Sequence, residues 1–380
     1  MKVFLTAGEP SGDALGAALM EGLKALVPGV TFRGIAGPRM VSAGMESLFP
    51  MDELSVMGIA EVLPKYFHLK RRIRETAEAA LSWSPDVVVT IDSPDFSLRV
   101  AAIVKAKSAL RTVHYVAPTV WAWRPERAGK MARVIDHVLA LFPFEPPYME
   151  AAGMACDFVG HPIATVPRVT SAEKAAFLAS HGLAETPLVL LPGSRRSEIE
   201  RLMPRFAAAL SQSSLRNRPV VLPTLPHLAN ALEELSKALP TPPILLTGRG
   251  QSTDTATEER RVALAASSIA LAASGTISLE LAHARTPMVI AYDMNWLSRQ
   301  IIKRKLLIDT VTLVNLVSET RAVPEFIGDA CTPKQIASGL DALALAPDGQ
   351  MAAMDETMAR LGEGGADPGT RAAQAILARL

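Results

Sequence analysis

The stretch KVFLTAGEPSGD, residues 2–13, opens as a run of β-forming residues, turns through a glycine loop and ends in helix-forming sequence. The stretch PLVLLPGSRRSE, residues 187–198, repeats the same order of strand, glycine loop and helix start. A strand that runs through a small-residue loop into a helix is the opening unit of a doubly wound α/β domain. Two such openings, about half a chain apart, predict two domains of this kind in tandem.

Further short apolar runs alternate with helix-like stretches in both halves of the chain. They are Val3–Leu5, Val87–Ile91, Thr112–Val116, Val138–Leu141, Leu188–Leu191, Val220–Leu222, Ile244–Leu246, Ile269–Ala272 and Met288–Ala291. Short runs that are hydrophobic at nearly every position are typical of parallel strands covered by helices on both faces. We therefore expect an α/β fold of two Rossmann-like domains, each a doubly wound parallel sheet, facing a central cleft at the carboxyl ends of the strands.

The composition fits a pair of ordinary packed domains. With 380 residues and 49% hydrophobic amino acids, the chain has enough apolar material for two cores. Its 39 basic and 38 acidic residues leave a net charge of +1, which argues against a nucleic-acid partner. The two cysteines argue against a disulfide framework or a cysteine zinc site. The longest uncharged window, residues 262–279, contains six serine, threonine and glycine residues, so we do not expect it to span a membrane. A soluble intracellular protein is therefore expected.

Proline and glycine mark the expected domain boundaries. Two prolines close to residue 165 predict an N-terminal domain of residues 1–165. The glycine-rich segment 362–369 predicts the end of a C-terminal domain of residues 166–361. Residues 362–380 are then expected to form a helix that packs back on the N-terminal domain or on a partner subunit.

The clearest candidate for a phosphate site lies in the second domain. Ser274, Gly275 and Thr276 follow a predicted buried strand and precede a predicted helix. A small-residue turn at a helix N-terminus offers free N–H groups and the positive end of the helix dipole to a diphosphate. Glu280, one turn further on, is suited to accept hydrogen bonds from ribose hydroxyls. The alternative is ordinary helix capping by Ser274 or Thr276, which is commoner than a nucleotide site.

A pair of arginines follows another strand end of the same domain. A guanidinium of Arg195 or Arg196 can reach a phosphate in the same crevice and neutralise a leaving diphosphate. The alternative is a solvated pair at the start of an acidic helix that carries Glu198 and Glu200. Two anion-friendly strand ends in one domain favour the phosphate interpretation.

In the first domain, acidic and aromatic residues follow two predicted strands. Asp92 and Asp95 come after the first of these, and a carboxylate at a strand end is a candidate general base. The alternative for both is turn formation and helix capping around Pro94. Trp121 and Trp123 follow the next strand and offer a platform for a sugar, although core packing is the commoner fate of tryptophan.

Eight motifs together resemble the lipid-A-disaccharide synthase family over essentially the whole chain. In chain order they are GEPSGD at 8–13, AGPRM at 36–40, VMG at 56–58, DSPDF at 92–96, HYVAPTVWAWR at 114–124, GHP at 160–162, LPGSR at 191–195 and ASGT at 273–276. GEPSGD and WAWR are the most specific. The resemblance implies a GT-B glycosyltransferase that joins UDP-2,3-diacylglucosamine to 2,3-diacylglucosamine 1-phosphate (lipid X) through a β-1,6 bond, inverts the anomeric carbon and releases UDP. It also implies that residues 1–165 bind the acceptor and residues 166–361 bind the UDP-sugar donor.

Site residues follow from the resemblance motif by motif. The family's essential aspartate falls on Asp95, the expected base, and its essential arginine on Arg195. Its UDP-contacting glutamate falls on Glu280, and the asparagine of its Asn-Leu segment on Asn315. The remaining substrate contacts are expected from Gly8, Glu9, Ser11, Gly12, Asp13, Ser194, Ser274, Gly275 and Thr276. No cofactor or metal is expected, because arginine and the helix dipole supply the positive charge that departing UDP requires.

A basic segment that begins at Glu61 is a candidate membrane contact. Five basic residues against one acidic residue accompany hydrophobic side chains at helical spacing, namely Val62, Tyr66, Leu69 and Ile73, with Phe67 beside them. Periodicity alone favours a core-facing helix with a solvated basic face. The acylated substrates that the resemblance implies favour instead a helix that touches an anionic membrane through Tyr66, Phe67 and Leu69. The expected location is cytoplasmic, peripherally bound to the inner membrane of a Gram-negative bacterium, and a homodimer is compatible with the sequence.

Two other functions fit parts of the sequence. A GT-B transferase that adds N-acetylglucosamine to a lipid-linked peptidoglycan precursor would share the donor half, but the WAWR segment argues against it. A non-catalytic nucleotide-sugar sensor of the same fold would be expected to have lost Asp95 or Arg195, and both are present. Formation of disaccharide with release of UDP distinguishes the enzyme from the sensor.

Overall fold

The computed structural model describes residues 1–54, 59–294 and 306–380, and for residues 59–65 it gives the backbone alone. The chain forms two compact units. The first comprises Met1–Thr165 and Leu361–Leu380, and the second comprises Val166–Arg360. Each unit is built on a parallel sheet flanked by helices, so the predicted pair of doubly wound domains is confirmed. The VMG motif lies outside the described residues.

The first unit contains seven described strands: β1 Lys2–Ala7, β2 Thr31–Ile35, β3 Glu46–Ser47, β4 Val87–Ile91, β5 Arg111–Tyr115, β6 His137–Ala140 and β7 Ala155–Phe158. They form one parallel sheet in the order β3-β2-β1-β4-β5-β6-β7. The chain starts at β1, builds outward through β2, and then returns to the other side of β1 with β4. Doubly wound sheets bind ligands beyond the carboxyl ends of the strands at such a reversal.

The central strands are buried on both faces, which explains why their sequences are almost continuously apolar. All five residues of β4 are buried, and this strand pairs with β1 on one side and with β5 on the other. Burying a valine or isoleucine side chain stabilises the fold by about 1.5–3 kcal/mol. The apolar run, in which Thr90 is the one polar residue, is therefore what holds the strand in the middle of the sheet.

The helices of the first unit include one from the end of the chain. They are Pro10–Leu26, Pro38–Ser42, Ile59–Trp83, Pro94–Lys107, Glu126–Met131, Pro146–Glu150 and Pro368–Leu377. The last of these packs on the first through glycine, since a Cβ on Gly22 would lie only 2.6 Å from the carbonyl oxygen of Gly369. This close approach attaches the end of the chain to the first unit.

The second unit contains six described strands: β8 Leu188–Leu191, β9 Val220–Pro223, β10 Ile244–Leu246, β11 Ile269–Ala272, β12 Met288–Tyr292 and β13 Glu325–Ile327. They form a parallel sheet in the order β10-β9-β8-β11-β12-β13, which reverses beside β8. Two glycine loops therefore meet at the carboxyl edge of neighbouring strands, one after β8 and one after β11.

The described helices of the second unit are Ser171–Ser180, Arg196–Gln212, Ala229–Ser236, Thr253–Ala266, Ile277–Ala284, Leu313–Ser318, Pro333–Leu345 and Asp348–Arg360. Two of them start directly after the glycine loops, so their N-termini come to the same sheet edge. Within the part of the chain that the structure describes, no helix is both long and apolar enough to cross a membrane.

Candidate active site

A pocket of about 740 Å³ opens in the second unit at the carboxyl ends of β8, β9 and β11. Its polar lining consists of Ser194, Arg195, Glu198, Thr224, Gln251, Ser252, Thr253, Thr257, Arg260, Ser274, Thr276 and Glu280. The residues that the sequence predicted around the two glycine loops are therefore brought together. A concave volume of this size with a few convergent polar groups is typical of a small-molecule site.

The loop after β11 leaves the start of the next helix open. Gly275 has φ of 140°, a conformation that favours glycine, and the helix Ile277–Ala284 begins at Thr276 without a side-chain cap. Thr276 and Ile277 both line the pocket. Ser278 and Leu279 donate their N–H groups to the carbonyls of Gly275 and Thr276, so the N–H groups of Thr276 and Ile277 are the ones left for an anion in the pocket.

A partly exposed ion pair forms one wall of the pocket. Nη1 of Arg260 lies 2.5 Å from Oε2 of Glu280, and the two side chains are 37% and 33% exposed. Glu280 is the residue that the sequence predicted as a ribose contact. Arg260 was missed, because it lies inside the helix Thr253–Ala266 among other charged residues. The pair gives the pocket a fixed carboxylate and a second cation.

A carboxylate anchors the loop that presents Arg195. Glu198, 14% exposed, accepts hydrogen bonds from the N–H groups of Ser194 at 3.1 Å and Arg195 at 3.2 Å. It also accepts from Nη1 of Arg195 at 3.1 Å and from the Tyr292 hydroxyl at 3.3 Å. Burial raises the pKa of Tyr292, and the charge of Glu198 adds to the rise. Glu198 therefore fixes both the backbone and the guanidinium of Arg195.

The two neighbouring arginines differ in their surroundings. Arg195 is 75% exposed and lines the pocket, whereas Arg196 is 74% exposed, pairs with Glu200 at 2.7 Å and does not line it. Both arginines are exposed and paired with a carboxylate, as the solvated-pair interpretation expects, but of the two only Arg195 lines the pocket, and its contact with phosphate stays a prediction. Arg196 is a natural reference for the effect of Arg195.

In the first unit, the loops after β1 and β4 are packed against each other in an uncommon conformation. Asp92 and Ser93 have φ of 49° and 44°, a region that residues other than glycine seldom occupy. A Cβ on Gly8 would lie 2.6 Å from Oγ of Ser93, so the glycine allows the close approach. Strained backbone of this kind clusters at functional sites.

The two strand-end aspartates play different structural parts. Asp92 accepts a hydrogen bond from the N–H of Ser93 at 2.8 Å and so shapes the turn. Asp95 is exposed in the first turn of the helix Pro94–Lys107, and no other described residue pairs with its carboxylate. Ser93, at the N-cap, makes no side-chain cap. Asp95 is therefore the carboxylate that is free to meet a substrate.

The other predicted residues of the glycine loop surround this edge. Glu9 and Ser11 are exposed, and Gly12 is buried against Ile91. Partial burial raises the pKa of Glu9, and the negative charge of Asp92 adds to the rise. A Glu9 carboxyl with a raised pKa retains its proton to higher pH than an ordinary glutamate.

Asp13 is committed to the backbone. It is 2% exposed and accepts hydrogen bonds from the N–H groups of Gly37 at 2.9 Å, Arg39 at 2.8 Å and Met40 at 3.0 Å. These donors open the short helix Pro38–Ser42. Asp13 thus joins two motifs of the sequence, and its predicted contact with substrate stays a prediction.

Asn315 is likewise occupied. It is 1% exposed, and its amide nitrogen donates to Oγ1 of Thr310 at 3.1 Å and to the carbonyl of Val323 at 2.9 Å. Its amide oxygen accepts from the N–H of Val323 at 2.9 Å. Asn315 does not line the pocket, so its predicted contact with substrate also stays a prediction.

The two tryptophans of the WAWR segment have different environments. Trp121 is buried, its Nε1 donates to Glu145 at 3.3 Å, and its ring packs edge-on against Phe144 at 5.0 Å. Burial raises the pKa of Glu145 to about 8, although hydrogen bonds from Phe142, Trp121 and Leu141 act in the opposite direction. Trp121 is therefore a core anchor, whereas Trp123 is only partly buried.

Two histidines of the predicted motifs are neutral structural groups. Burial lowers the pKa of His114 and of His161 to about 4. Nδ1 of His114 lies 2.7 Å from Oγ1 of Thr90, and Nδ1 of His161 accepts from the N–H of Ile163 at 3.1 Å. Neither ring therefore takes up a proton near neutral pH.

The predicted membrane residues lie on the helix Ile59–Trp83. Tyr66 is 44% exposed and Phe67 is 81% exposed, with their rings edge-to-face at 5.6 Å, whereas Leu69 is partly buried and Ile73 is buried. The helix thus enters the core at Ile73 and leaves two aromatic rings in solvent nearer its start. The side chain of Val62 lies outside the described residues.

Comparisons with known proteins show the family of the chain. Residues 3–376 match the model of the family described as lipid-A-disaccharide synthetase. The chain is 61% identical to the lipid-A-disaccharide synthase of Ruegeria pomeroyi, over 100% of this chain and 96% of that one. It is 44% identical to that of Rhodospirillum centenum, over 99% and 94%.

Solved structures share the fold at low identity. The UDP-GlcNAc 2-epimerase of Neisseria meningitidis, bound to UDP-GlcNAc, gives a TM-score of 0.65 at 12% identity, over 100% of this chain and 99% of that one. MurG of Acinetobacter baumannii gives 0.55 at 14% identity, over the same shares of the two chains. These likenesses show a two-domain α/β fold of the GT-B type.

Proposed function

The chain belongs to the lipid-A-disaccharide synthase family and is a glycosyltransferase of lipid A biosynthesis, and from this premise we propose its substrates and mechanism. The donor is UDP-2,3-diacylglucosamine and the acceptor is 2,3-diacylglucosamine 1-phosphate. The acceptor 6-oxygen attacks the anomeric carbon of the donor, the bond to UDP breaks, and the configuration inverts. The observation that carries the proposal is the pocket in which Arg195, an uncapped helix N-terminus and Glu280 converge.

The diphosphate of the donor binds between the two glycine loops of the second unit. The free N–H groups at Thr276 and Ile277 receive one phosphate, and the guanidinium of Arg195 receives the other. Negative charge on the diphosphate increases as the glycosidic bond breaks, so both contacts strengthen toward the transition state. Glu198 contributes by holding Arg195 in place before the donor arrives.

The nucleoside is oriented by the ion pair beside the diphosphate site. Glu280 has two carboxylate oxygens, and only Oε2 is within hydrogen-bond distance of Arg260. Oε1 is then free to accept from a ribose hydroxyl. Arg260 holds the carboxylate in the orientation for that contact.

Asp95 is the general base for the acceptor. Its carboxylate is exposed and unpaired among the described residues, so it can accept the proton of the 6-hydroxyl as the new bond forms. Asp92 is the next candidate, but its carboxylate already accepts a backbone hydrogen bond. Asp95 takes up the proton of the hydroxyl, and UDP departs with the electron pair of the broken bond.

The chain also offers a matched pair of variants for the donor site. Arg195→Ala should lower kcat/KM about 100- to 1000-fold and weaken UDP binding. Removing one hydrogen-bonding group that stabilises a developing anion typically slows an enzyme by about that factor. Arg196→Ala removes an equally exposed arginine outside the pocket and should stay within a few fold of wild type. Equal effects of the two substitutions, measured by UDP release and by titration calorimetry with UDP, would remove Arg195 from the phosphate site.

We propose in addition that the start of the helix Ile59–Trp83 rests on the cytoplasmic face of the inner membrane. Tyr66 and Phe67 expose adjoining aromatic rings, and the exposed cations Lys70 and Arg71 follow on the same helix. Aromatic rings insert at the interface while cations attract anionic lipids, each by about 1 kcal/mol. Attachment should therefore be reversible and salt-sensitive.

A further inference from the structure

Two arginines share one tryptophan ring in the first unit. Cζ of Arg124 lies 4.1 Å from the centroid of the Trp123 ring, and Cζ of Arg127 lies 5.6 Å from the same centroid. Arg124 is partly buried and Arg127 is exposed. Neither guanidinium has a carboxylate partner among the described residues, whereas both arginines that line the second unit's pocket have one.

This arrangement gathers two positive charges where an anion can join them. Two like charges gathered on one ring repel each other, and the ring attracts each cation by only about 0.5–2 kcal/mol. Arg124 also has φ of 56°, a left-handed backbone conformation that residues other than glycine, asparagine and aspartate seldom adopt. A guanidinium stacked on a ring keeps its N–H edges free, and that edge matches two oxygens of a phosphate.

The segment packs against the helix that carries the proposed base. Asp95 follows β4 and Trp123 follows β5, and the last residues of these strands, Ile91 and Tyr115, are paired in the sheet. Ala101 of the helix Pro94–Lys107 belongs to the same apolar cluster as Val120 and Ala128. On the other side, buried Trp121 anchors the same segment to the core.

We propose that Arg124 and Arg127, stacked on Trp123, bind the phosphate of the acceptor and so select a phosphorylated sugar. The inference rests on the proposed function, because it concerns the acceptor of that reaction. The 1-phosphate is attached to C1 and the 6-hydroxymethyl group to C5, the two carbons that flank the ring oxygen. A phosphate held by this segment would therefore fix the position of the 6-hydroxyl relative to Asp95, on the helix that packs against the segment.

The test compares two acceptors in wild type and in the double variant Arg124→Ala/Arg127→Ala. One acceptor is 2,3-diacylglucosamine 1-phosphate, and the other is the same diacylated sugar without phosphate. Wild type should prefer the phosphorylated acceptor in kcat/KM, and the double variant should lose at least about tenfold of this preference through KM for the acceptor. Turnover of the unphosphorylated acceptor and KM for the donor should stay near wild type. Arg133→Ala, which removes an exposed arginine with no contact to the ring, is the control and should keep the full preference.

Each outcome bears on a different claim. Absence of turnover with either acceptor in wild type contradicts the proposed function itself, whereas turnover with an unchanged preference in the double variant overturns only the phosphate site. Arg124→Lys/Arg127→Lys keeps the charge but loses the planar fork, and an intermediate preference in it supports the site even if the alanine variant is poorly folded. A variant that loses binding to anionic vesicles of phosphatidylglycerol while keeping the acceptor preference would assign the arginines to bilayer phosphates and overturn the proposal.

Discussion

We expect Asp13→Ala to destabilise the first unit rather than to remove a substrate contact. Oδ1 of Asp13 accepts hydrogen bonds from Gly37 and Met40, and Oδ2 accepts one from Arg39. The Gly37 and Met40 donors are buried, so the substitution leaves two N–H groups with neither partner nor water, at about 1–3 kcal/mol each. The expected loss in the free energy of unfolding is about 3–5 kcal/mol, a large part of what stabilises a domain.

Asp13→Asn is the matched control. Its amide oxygen can replace Oδ1 and keep both buried hydrogen bonds, while its amide nitrogen faces the partly buried N–H of Arg39. One hydrogen bond is lost, so the expected cost is about 1–2 kcal/mol. Urea unfolding followed by tryptophan fluorescence reports on this unit, because it contains three of the four tryptophans, Trp83, Trp121 and Trp123.

The alanine variant should therefore unfold at a clearly lower urea concentration than the asparagine variant. Under conditions where both are folded, both should keep the wild-type KM for each substrate. An Asp13→Ala protein that is as stable as wild type but shows a tenfold higher KM would refute the capping role and assign Asp13 to substrate binding.

Three further perturbations follow from the structure. Arg260→Ala leaves the carboxylate of Glu280 without its partner and should raise KM for the UDP-sugar about tenfold, the effect expected for one lost charge-assisted contact. An unchanged KM in initial-rate assays would argue against a role of this ion pair in binding the nucleoside. Glu145, with a folded pKa of about 8 against an ordinary 4.5, binds an extra proton when folded, so its contribution to stability falls as pH rises from about 4.5 to 8. Glu145→Gln should flatten this dependence in unfolding measured at pH 5 and pH 8, and an unchanged difference would contradict it. Replacing Tyr66, Phe67 and Leu69 with Ser should reduce sedimentation with anionic liposomes at unchanged thermal stability. If the wild-type protein does not bind liposomes and the triple variant unfolds, the helix is an ordinary core helix.

The strands were predictable where burial dictates composition. β4 and β8 are buried at every position, and their sequences are accordingly apolar apart from Thr90. β2 was missed because Arg33 and Gly34 interrupt its pattern. Gly34 has φ of 144° and lies against the carbonyl of Leu5, so the packing requires glycine at this position. The same glycine interrupts the apolar pattern by which a strand is predicted.

The candidate site was predictable at its loops and not beyond them. A glycine loop between a strand and a helix has one position in a doubly wound domain, and for this reason Arg195 and Thr276 were found. Arg260 reaches the pocket from the middle of a charged helix, where sequence offers no contrast with its neighbours. Asp13 and Asn315 carry groups that suit a ligand equally well, and only three-dimensional contacts reveal that the backbone already uses them.

The most direct test of the central claim is mass spectrometry, with linkage analysis, of the product formed from defined UDP-2,3-diacylglucosamine and 2,3-diacylglucosamine 1-phosphate. Wild type should give a β-1,6-linked disaccharide 1-phosphate and one UDP per product. Asp95→Asn should give almost none while binding UDP within a few fold of wild type. Wild-type protein that releases no UDP and forms no disaccharide, or an Asp95→Asn protein that turns over normally, would contradict the account.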